Sequence, residues 1–321
     1  MHKIDLITGF LGSGKTTFIS KYAAYLMGRG ERIGILENDF GAINVDRVLL
    51  ADLLGDKCGM EMVVGGDTLE THRRRMKTKL IALAMNGYDR VIIEPSGIFD
   101  VDELFDLLYE DPLDRMYEMG SVITLADAVS LQQAYVRDFS RESRYLSCAQ
   151  SACAGRIVIS KVDVPGAAQD PVTEAVETLN GCLTEFGCKR RITPDECLAA
   201  NLNELTDDVL EKLSRCGYHR ASHVKLPVMA EGDYESLFAY DLELEHDDLV
   251  SRVRGIFDDP GCGRIFRIKG YMNVKDRGWT EINATSSDSL GMQPAPSSEN
   301  VLIVIGENVN ADAVRKWLPV R

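Results

Sequence analysis

A glycine-rich run near the N-terminus has the residue types and the spacing that phosphate binding requires. The letters GFLGSGKT, residues 9–16, fit the pattern GxxxxGK[ST] and follow a predicted strand. In such a loop, backbone N–H groups surround the phosphates, the lysine reaches the outer phosphates and the hydroxyl ligates Mg²⁺. Glycine is needed because a side chain would block this approach. We therefore expect a nucleoside triphosphate, bound by Gly12, Ser13, Gly14, Lys15, Thr16 and Thr17.

A second motif, IEPSG at residues 93–97, ends another apolar run with an acid. In a protein with a phosphate loop, an acid at this place holds Mg²⁺ through water, and the amide of the following glycine contacts the γ-phosphate. We expect Thr16 and Glu94 to hold the metal and Gly97 to contact the nucleotide. We expect Lys15 and Glu94 to stabilise the transition state. Alone, the motif would fit a plain strand that ends in a polar turn.

A third motif, SKVD at residues 160–163, resembles the NKxD signature with which GTPases recognise guanine. The acid of that signature pairs with the guanine ring, and the stem of the lysine lies along the base. Adenine offers no matching donors and would leave a carboxylate unpaired. Ser160, Lys161 and Asp163 therefore favour GTP and GDP over adenine nucleotides. Ser160 stands where the signature usually has Asn, which weakens one supporting hydrogen bond.

A fourth segment, ENDFG at residues 37–41, lies where a switch would cover the triphosphate. Nucleotide state could order or release such a segment. Asp39 is our candidate for orienting the attacking water, so the predicted catalytic residues are Lys15, Asp39 and Glu94. The alternative is a strand-to-turn junction in which Asn38 and Asp39 cap backbone amides.

The elements that must position these motifs alternate between strands and helices, which predicts an α/β phosphate-loop fold with a parallel sheet covered on both faces. Strands are predicted at 3–8, 32–36, 61–64, 90–93, 121–125 and 156–159, and helices at 67–86, 141–154 and 172–186. A smaller α+β domain follows, with strands at 237–244, 263–271 and 300–305, helices at 247–256 and 311–317, and a mobile loop at 286–298. The predicted domains are 1–217 and 236–321, joined by a linker at 218–235.

Charge and composition narrow the classes of partner. The formal net charge of -14 argues against nucleic acid or an anionic membrane as the main partner. The chain has no apolar run long enough to span a bilayer, and its first strand leaves no room for a signal peptide, so we expect a cytoplasmic protein. The eight cysteines form no CxxC pair. His219 and His223 could share one face of a helix, and this spacing favours a structural role over metal ligation.

The order GFLGSGKTT, NDFG, IEPSG, TLADA, SKVD resembles the CobW family of phosphate-loop GTPases, which are relatives of the nickel-insertion GTPases of urease and hydrogenase. The stretches GRIFRIKGYMN (263–273) and VLIVIGENVN (301–310) are similar to the C-terminal domain of that family. The resemblance implies a slow GTPase that carries or inserts a metal such as zinc or cobalt, or that maintains a metallocofactor enzyme. A homodimer stays open.

The chain departs from the family pattern where a metal would bind. The family's metal-carrying members usually have CxCC where this chain reads GGDTLE (65–70), and Asp39 and Ala42 stand where two acids are usual. The histidine-rich tail of several members is absent. Asp39, Asp67, Glu70 and His72 could instead form an oxygen-rich site for a harder ion, with Cys58 upstream. The alternative is that they cap the helix and face water.

A basic run, His72 to Lys79, stands out in this acidic chain. It is typical of a solvated helix face. The alternatives are a docking surface for an acidic partner and an arginine that reaches the γ-phosphate on assembly.

Three functions remain open at this point. The first is a GTP hydrolase that loads metal or a cobalamin-type metallocofactor onto a client. The second is a nucleotide-dependent switch that remodels a corrinoid or other metalloenzyme client without carrying metal. The third, a small-molecule kinase, would have no use for a guanine-reading SKVD motif.

Overall fold

The computed structural model describes residues 1–39, 50, 53–64, 69–95, 101–132, 139–224, 235–286, 290–294 and 300–318. Of these, the residues up to 224 form one compact unit and the residues from 235 onward form a second. The junction at 225–234 lies outside the described residues. The predicted bounds of the two domains and of the linker therefore stay a prediction.

The N-terminal unit alternates strands with helices, as predicted. Its elements are β1 (His2–Gly9), α1 (Lys15–Gly28), β2 (Ile33–Asp39), β3 (Cys58–Val64), α2 (Leu69–Met85), β4 (Arg90–Pro95), α3 (Val101–Leu108), α4 (Leu113–Met116), β5 (Tyr117–Asp127), α5 (Arg141–Ala152), β6 (Arg156–Ser160), α6 (Pro171–Glu185), β7 (Cys197–Ala199) and α7 (Asp207–Ser214). Among the described residues, seven parallel strands pair in the order β3-β2-β4-β1-β5-β6-β7. Because parallel strands end at one edge, the described parts of the four motifs lie along that edge.

Two apolar cores lie on opposite faces of this sheet. On one face, α1 packs Phe18 and Ile19 against strand residues that include Ile35. On the other face, α2 packs Leu80 against strand residues that include Leu36. Consecutive residues of β2 thus enter different cores, which is the period-two alternation of a strand buried on both faces.

A buried ionic network ties α1 to the sheet. Asp5 on β1 accepts hydrogen bonds from the Tyr22 hydroxyl (2.6 Å), from the Arg90 guanidinium (2.6 Å) and from the Ser121 amide (2.7 Å). Burial, and then the charge of Asp5, raises the pKa of Tyr22 well above its usual value, so the hydroxyl stays protonated and donates. These contacts join α1 to β1, β4 and β5, and so hold the helix that follows the phosphate loop.

The C-terminal unit is an antiparallel sheet with helices packed on it. Its elements are β8 (Glu235–Tyr240), α8 (His246–Asp258), β9 (Arg264–Val274), β10 (Gly278–Thr285), β11 (Gly291–Pro294), β12 (Val301–Glu307) and α9 (Ala311–Trp317). In the described residues the strand order is β11-β10-β9-β12-β8. Leu249 and Val253 of α8 and Val314 of α9 belong to its apolar core.

Several local expectations were wrong. The strand predicted at 237–244 ends at Tyr240, because Asp241 adopts a positive φ of 53°. The expected loop at 286–298 contains β11, which pairs with β10, a strand that we did not predict. His219 and His223 lie outside any helix: His219 contacts Glu196 at 3.0 Å, and His223 packs on the ring of Tyr145. None of the described helices is long and apolar enough to cross a membrane.

Candidate nucleotide-binding site

The glycine-rich run forms the turn between β1 and α1. Gly9 and Gly14 have positive φ angles of 141° and 89°, which residues with a side chain rarely adopt. A Cβ atom on Gly9 would lie 2.2 Å from the carbonyl oxygen of Leu125, and one on Gly14 would lie 2.8 Å from Cδ1 of Leu202. Helix α1 begins directly afterwards at Lys15, so its N-terminal N–H groups face the loop, an arrangement that attracts anions.

Lys15 and Thr16 are held in place at this helix start. The Lys15 ammonium group donates to the carbonyl oxygens of Gly9 (3.0 Å) and Phe10 (3.3 Å), so it lies across the loop. The Thr16 hydroxyl donates to Oε1 of Glu94 at 3.0 Å. The structure therefore brings together two motifs that lie 78 positions apart. Thr17, the next residue of the helix, is exposed.

A further acid that we did not predict lies beside Glu94. Glu37 pairs in register with Glu94 across β2 and β4, and both side chains are buried. Residues in register on neighbouring strands point to the same face, so the two carboxylates share the α1 side of the sheet. The sequence could have indicated this position, because Glu37 lies two residues after Ile35 on the same strand and therefore points to the same α1 face. Asp39 ends β2, but its side chain lies outside the described residues, and so does Gly97.

The SKVD motif follows β6 at the same sheet edge and is tied to the phosphate loop. The Ser160 hydroxyl donates to the carbonyl oxygens of Ser13 (2.8 Å) and Ala126 (3.2 Å). Although Ser160 replaces the usual Asn, its hydroxyl thus bonds the backbone of the phosphate loop directly.

Lys161 is anchored by an acid from the neighbouring strand. Its ammonium group lies 2.7 Å from Oδ2 of Asp127, and both side chains are largely buried. The other oxygen of Asp127 accepts from the amides of Val129 (2.8 Å) and Ser130 (3.1 Å). We did not predict a site role for Asp127, although it is the acid of the TLADA stretch. Asp163 is exposed, and its Oδ2 accepts from the Asn201 amide at 3.0 Å.

A family model described as the nucleotide-binding domain of CobW/HypB/UreG matches residues 3–184. This match covers more than half of the 321 residues and includes all four motifs. The chain belongs to the CobW/HypB/UreG family. The resemblance predicted from the motifs is thereby confirmed, and so is the phosphate-loop α/β fold.

Individual members of this family are similar to parts of the chain. It is 28% identical to the zinc chaperone YjiA of Escherichia coli over 173 residues. The aligned region covers 52% of this chain and 51% of YjiA. The chain is 29% identical to the zinc chaperone CobW of a Sinorhizobium species over 137 residues. This aligned region covers 39% of this chain and 36% of that protein. The chain thus spans about half, or less, of these curated relatives. The crystal structure of Zn(II)-bound YjiA from E. coli aligns over 98% of this chain and 97% of YjiA, with 18% identity and a TM-score of 0.37.

Glu70 and His72, two members of the oxygen-rich metal site that we considered, do not share a face of α2 in this CobW/HypB/UreG chain. Glu70 is exposed and bonds Arg74, whereas His72, two positions later on α2, is buried. Residues two apart on a helix do not face each other. The side chain of Asp39 and all of Asp67 lie outside the described residues. Within the described part of the chain, no group of three or more His, Cys, Asp or Glu side chains could hold a metal.

The basic run on α2 is ion-paired within the chain. Arg73 and Lys77 both contact the carboxylate of Glu110, at 2.7 and 2.8 Å. Further pairs on this helix join Lys79 to Glu61 (2.7 Å) and Arg74 to Glu70 (3.1 Å). These pairs are partly or largely exposed, and such pairs contribute at most about 1 kcal/mol each. They favour the interpretation as a solvated, ion-paired helix face.

Proposed function

We propose that the protein binds GTP with Mg²⁺, hydrolyses it slowly without a partner, and uses the nucleotide state to deliver or insert a metal or a metallocofactor of the cobalamin type. The observation that carries the proposal is that phosphate-binding and base-reading motifs share one sheet edge. The Ser160–Ser13 hydrogen bond joins them directly.

The base-reading residues support guanine as the base. A guanine ring presents N1–H and an exocyclic amine as adjacent donors, and a carboxylate such as that of Asp163 accepts both. Lys161, fixed by Asp127, supplies the aliphatic stem along the base. Adenine lacks these donors, so the carboxylate would lose its water without gaining a partner.

The donor set beside the phosphate loop suits Mg²⁺. Thr16 offers a hydroxyl oxygen and Glu94 a carboxylate oxygen, and the two oxygens lie within 3.0 Å of each other. Mg²⁺ prefers oxygen ligands and retains several waters, so Thr16 would bind it directly and Glu94 through water. The ion would neutralise charge on the β- and γ-phosphates.

The remaining catalytic parts of the proposal come from the chain itself. The Lys15 ammonium group would leave the carbonyl oxygens of Gly9 and Phe10 and contact the outer phosphates, stabilising negative charge in the transition state. We propose that Asp39 orients the attacking water and that the Gly97 amide contacts the γ-phosphate.

Metal or metallocofactor delivery is proposed because relatives of this chain bear the name zinc chaperone. The second candidate is a switch that remodels a corrinoid or other metalloenzyme client without carrying metal. It is favoured by the lack of thiolate ligands at residues 65–70. Residues 65–70 contain no cysteine, and burial raises the pKa of the nearby Cys58 thiol to about 11. A thiol with this pKa forms a poor thiolate ligand at neutral pH.

Two measurements test the proposal. The first compares the affinities for GTP and ATP, and a preference for ATP would overturn the guanine assignment. The second measures metal stoichiometry by competition with a chromophoric chelator, with saturating Mg²⁺, on protein loaded with GDP or a non-hydrolysable GTP analogue. One-to-one binding that changes with the nucleotide supports the metal carrier. If neither state binds a metal other than Mg²⁺, the remodelling switch is supported instead.

A further inference from the structure

A short segment that follows the edge strand β7 reaches the proposed base site. β7 pairs in parallel with β6, and Ile159 lies in register with Ala199. The amide of Ala200 then donates to the carbonyl oxygen of Ile159 at 3.0 Å, which prolongs the pairing by one residue. The next residue, Asn201, therefore emerges beside the end of β6, where the SKVD motif begins.

Both polar atoms of the Asn201 side-chain amide are hydrogen-bonded. Its oxygen accepts from the backbone amide of Asn203 at 2.9 Å, and its Nδ2 donates to Oδ2 of Asp163 at 3.0 Å. The two contacts require the same orientation of the amide, because a carboxylate accepts and a backbone N–H donates. Asn201 thus holds one oxygen of an otherwise exposed carboxylate.

The same segment also supports the phosphate loop. Leu202 is buried in the core of α1, and its Cδ1 lies against Gly14. The Lys21 ammonium group of α1 donates to the carbonyl oxygen of Asn203 at 3.3 Å. The position of Asn201 is therefore set relative to α1 and the phosphate loop, and not only relative to β6.

We propose that Asn201 is a positioning residue for guanine selection, which acts by holding the Asp163 carboxylate in the orientation that accepts both donors of the guanine ring. This inference rests on the proposed function. A carboxylate that turns freely about its last bond must lose that freedom when it pairs with a base, and a fixed carboxylate has already lost it. Removing the Asn201 donor should therefore weaken guanine binding more than binding of a base with only one donor.

The test compares GDP with IDP, whose hypoxanthine base lacks the exocyclic amine of guanine. Affinities of the full chain are measured with nucleotides that carry a fluorescent group on the ribose. We expect N201A to weaken GDP binding about tenfold and IDP binding about threefold, so that the preference for GDP falls about threefold. N201D keeps the acceptor for the Asn203 amide but presents a charge to Asp163, and should weaken GDP binding further.

Two controls separate positioning from a general structural role. N203A changes an exposed side chain of the same type two residues away and should leave both affinities within about twofold of the wild type. In a D163A background, N201A should have no further effect, because Asn201 acts through Asp163. Equal losses for GDP and IDP, or full additivity with D163A, would overturn the proposal.

The outcome for the wild type separates this inference from the function beneath it. If the wild type binds ADP as tightly as GDP, the guanine assignment itself fails. If the wild type prefers GDP and N201A retains the full preference, only the role of Asn201 fails.

Discussion

Replacing Asp127 with Asn should distinguish the role of the buried Asp127–Lys161 ion pair from the role of the exposed Asp163 in the proposed base site. Oδ2 of Asp127 lies 2.7 Å from the Lys161 ammonium group, and the two side chains are 5% and 13% exposed. Its Oδ1 accepts from the amides of Val129 and Ser130. In D127N the amide oxygen can keep both backbone donors, while the NH₂ group faces the ammonium. The substitution thus preserves shape and removes the ion pair.

The expected cost follows from the burial of the pair. Removing one partner of a fully buried pair costs about 3–5 kcal/mol, whereas an exposed pair contributes about 0–1 kcal/mol. Because Lys161 reaches solvent, we expect D127N to lower the free energy of unfolding by about 2–3 kcal/mol. D163N is the matched control, since Asp163 is exposed, and should cost no more than about 0.5 kcal/mol.

Urea denaturation of nucleotide-free protein measures this cost, and binding of GDP and XDP measures the effect on the site. Under the proposed function, D127N should weaken the binding of both nucleotides, because Asp127 would no longer hold Lys161 against the base. D163N should instead reverse the preference towards XDP, whose xanthine ring offers an acceptor where guanine has its amine. The reasoning is refuted if D127N unfolds at the wild-type urea concentration, or if D163N costs as much stability as D127N.

Two further predictions concern the buried polar side chains of Asn38 on β2 and His72 on α2. The Asn38 side chain is 1% exposed, and neither of its polar atoms has a hydrogen-bond partner among the described residues. Replacing this amide with an apolar side chain in N38L should therefore stabilise nucleotide-free protein by about 1–2 kcal/mol. A lower urea midpoint for N38L would contradict this. Burial, and then the charge of Arg75, lowers the pKa of His72 in the folded protein. As pH falls below about 6.5, His72 is therefore protonated in the unfolded chain before it is protonated in the folded chain, which favours unfolding. The wild type should therefore lose stability between pH 7 and 5 by urea denaturation, and H72Q should lose less; parallel profiles would exclude His72 as the cause.

Much of the fold could be predicted because local patterns determine it. Apolar runs that end in polar or glycine residues indicated the central strands, and the motifs at their ends indicated one functional edge. The hairpin of β9 and β10 was missed, although its turn is short: the Arg277 amide donates to the carbonyl oxygen of Val274, and Gly278 has a φ of 79°. The alternating residues of β10 carried a strand signal that we did not use.

The site residues that sequence reasoning missed are those whose contacts are remote along the chain. Asn201 lies 38 positions from Asp163, and nothing in the surrounding letters marks it as a partner. Asp127 was visible in a family stretch, but its role depends on the register of β5 against β6. For Glu70 and His72 the reverse holds: they are close in sequence, yet they do not share a face of α2.

The contacts on the base side of the candidate site differ from those on its β2–β4 side. On the base side, Ser160 and Leu202 tie the SKVD and β7 segments to the phosphate loop at Ser13 and Gly14. Because of these direct contacts, the base-binding segments and the phosphate loop should move together. On the β2–β4 side, two buried carboxyl groups lie in register at Glu37 and Glu94, and oxygens of this kind are suitable ligands for a hard cation. Under the proposed function, gain or loss of the γ-phosphate or of Mg²⁺ would change the charge balance most directly at β2 and β4, and a client would detect the nucleotide state there.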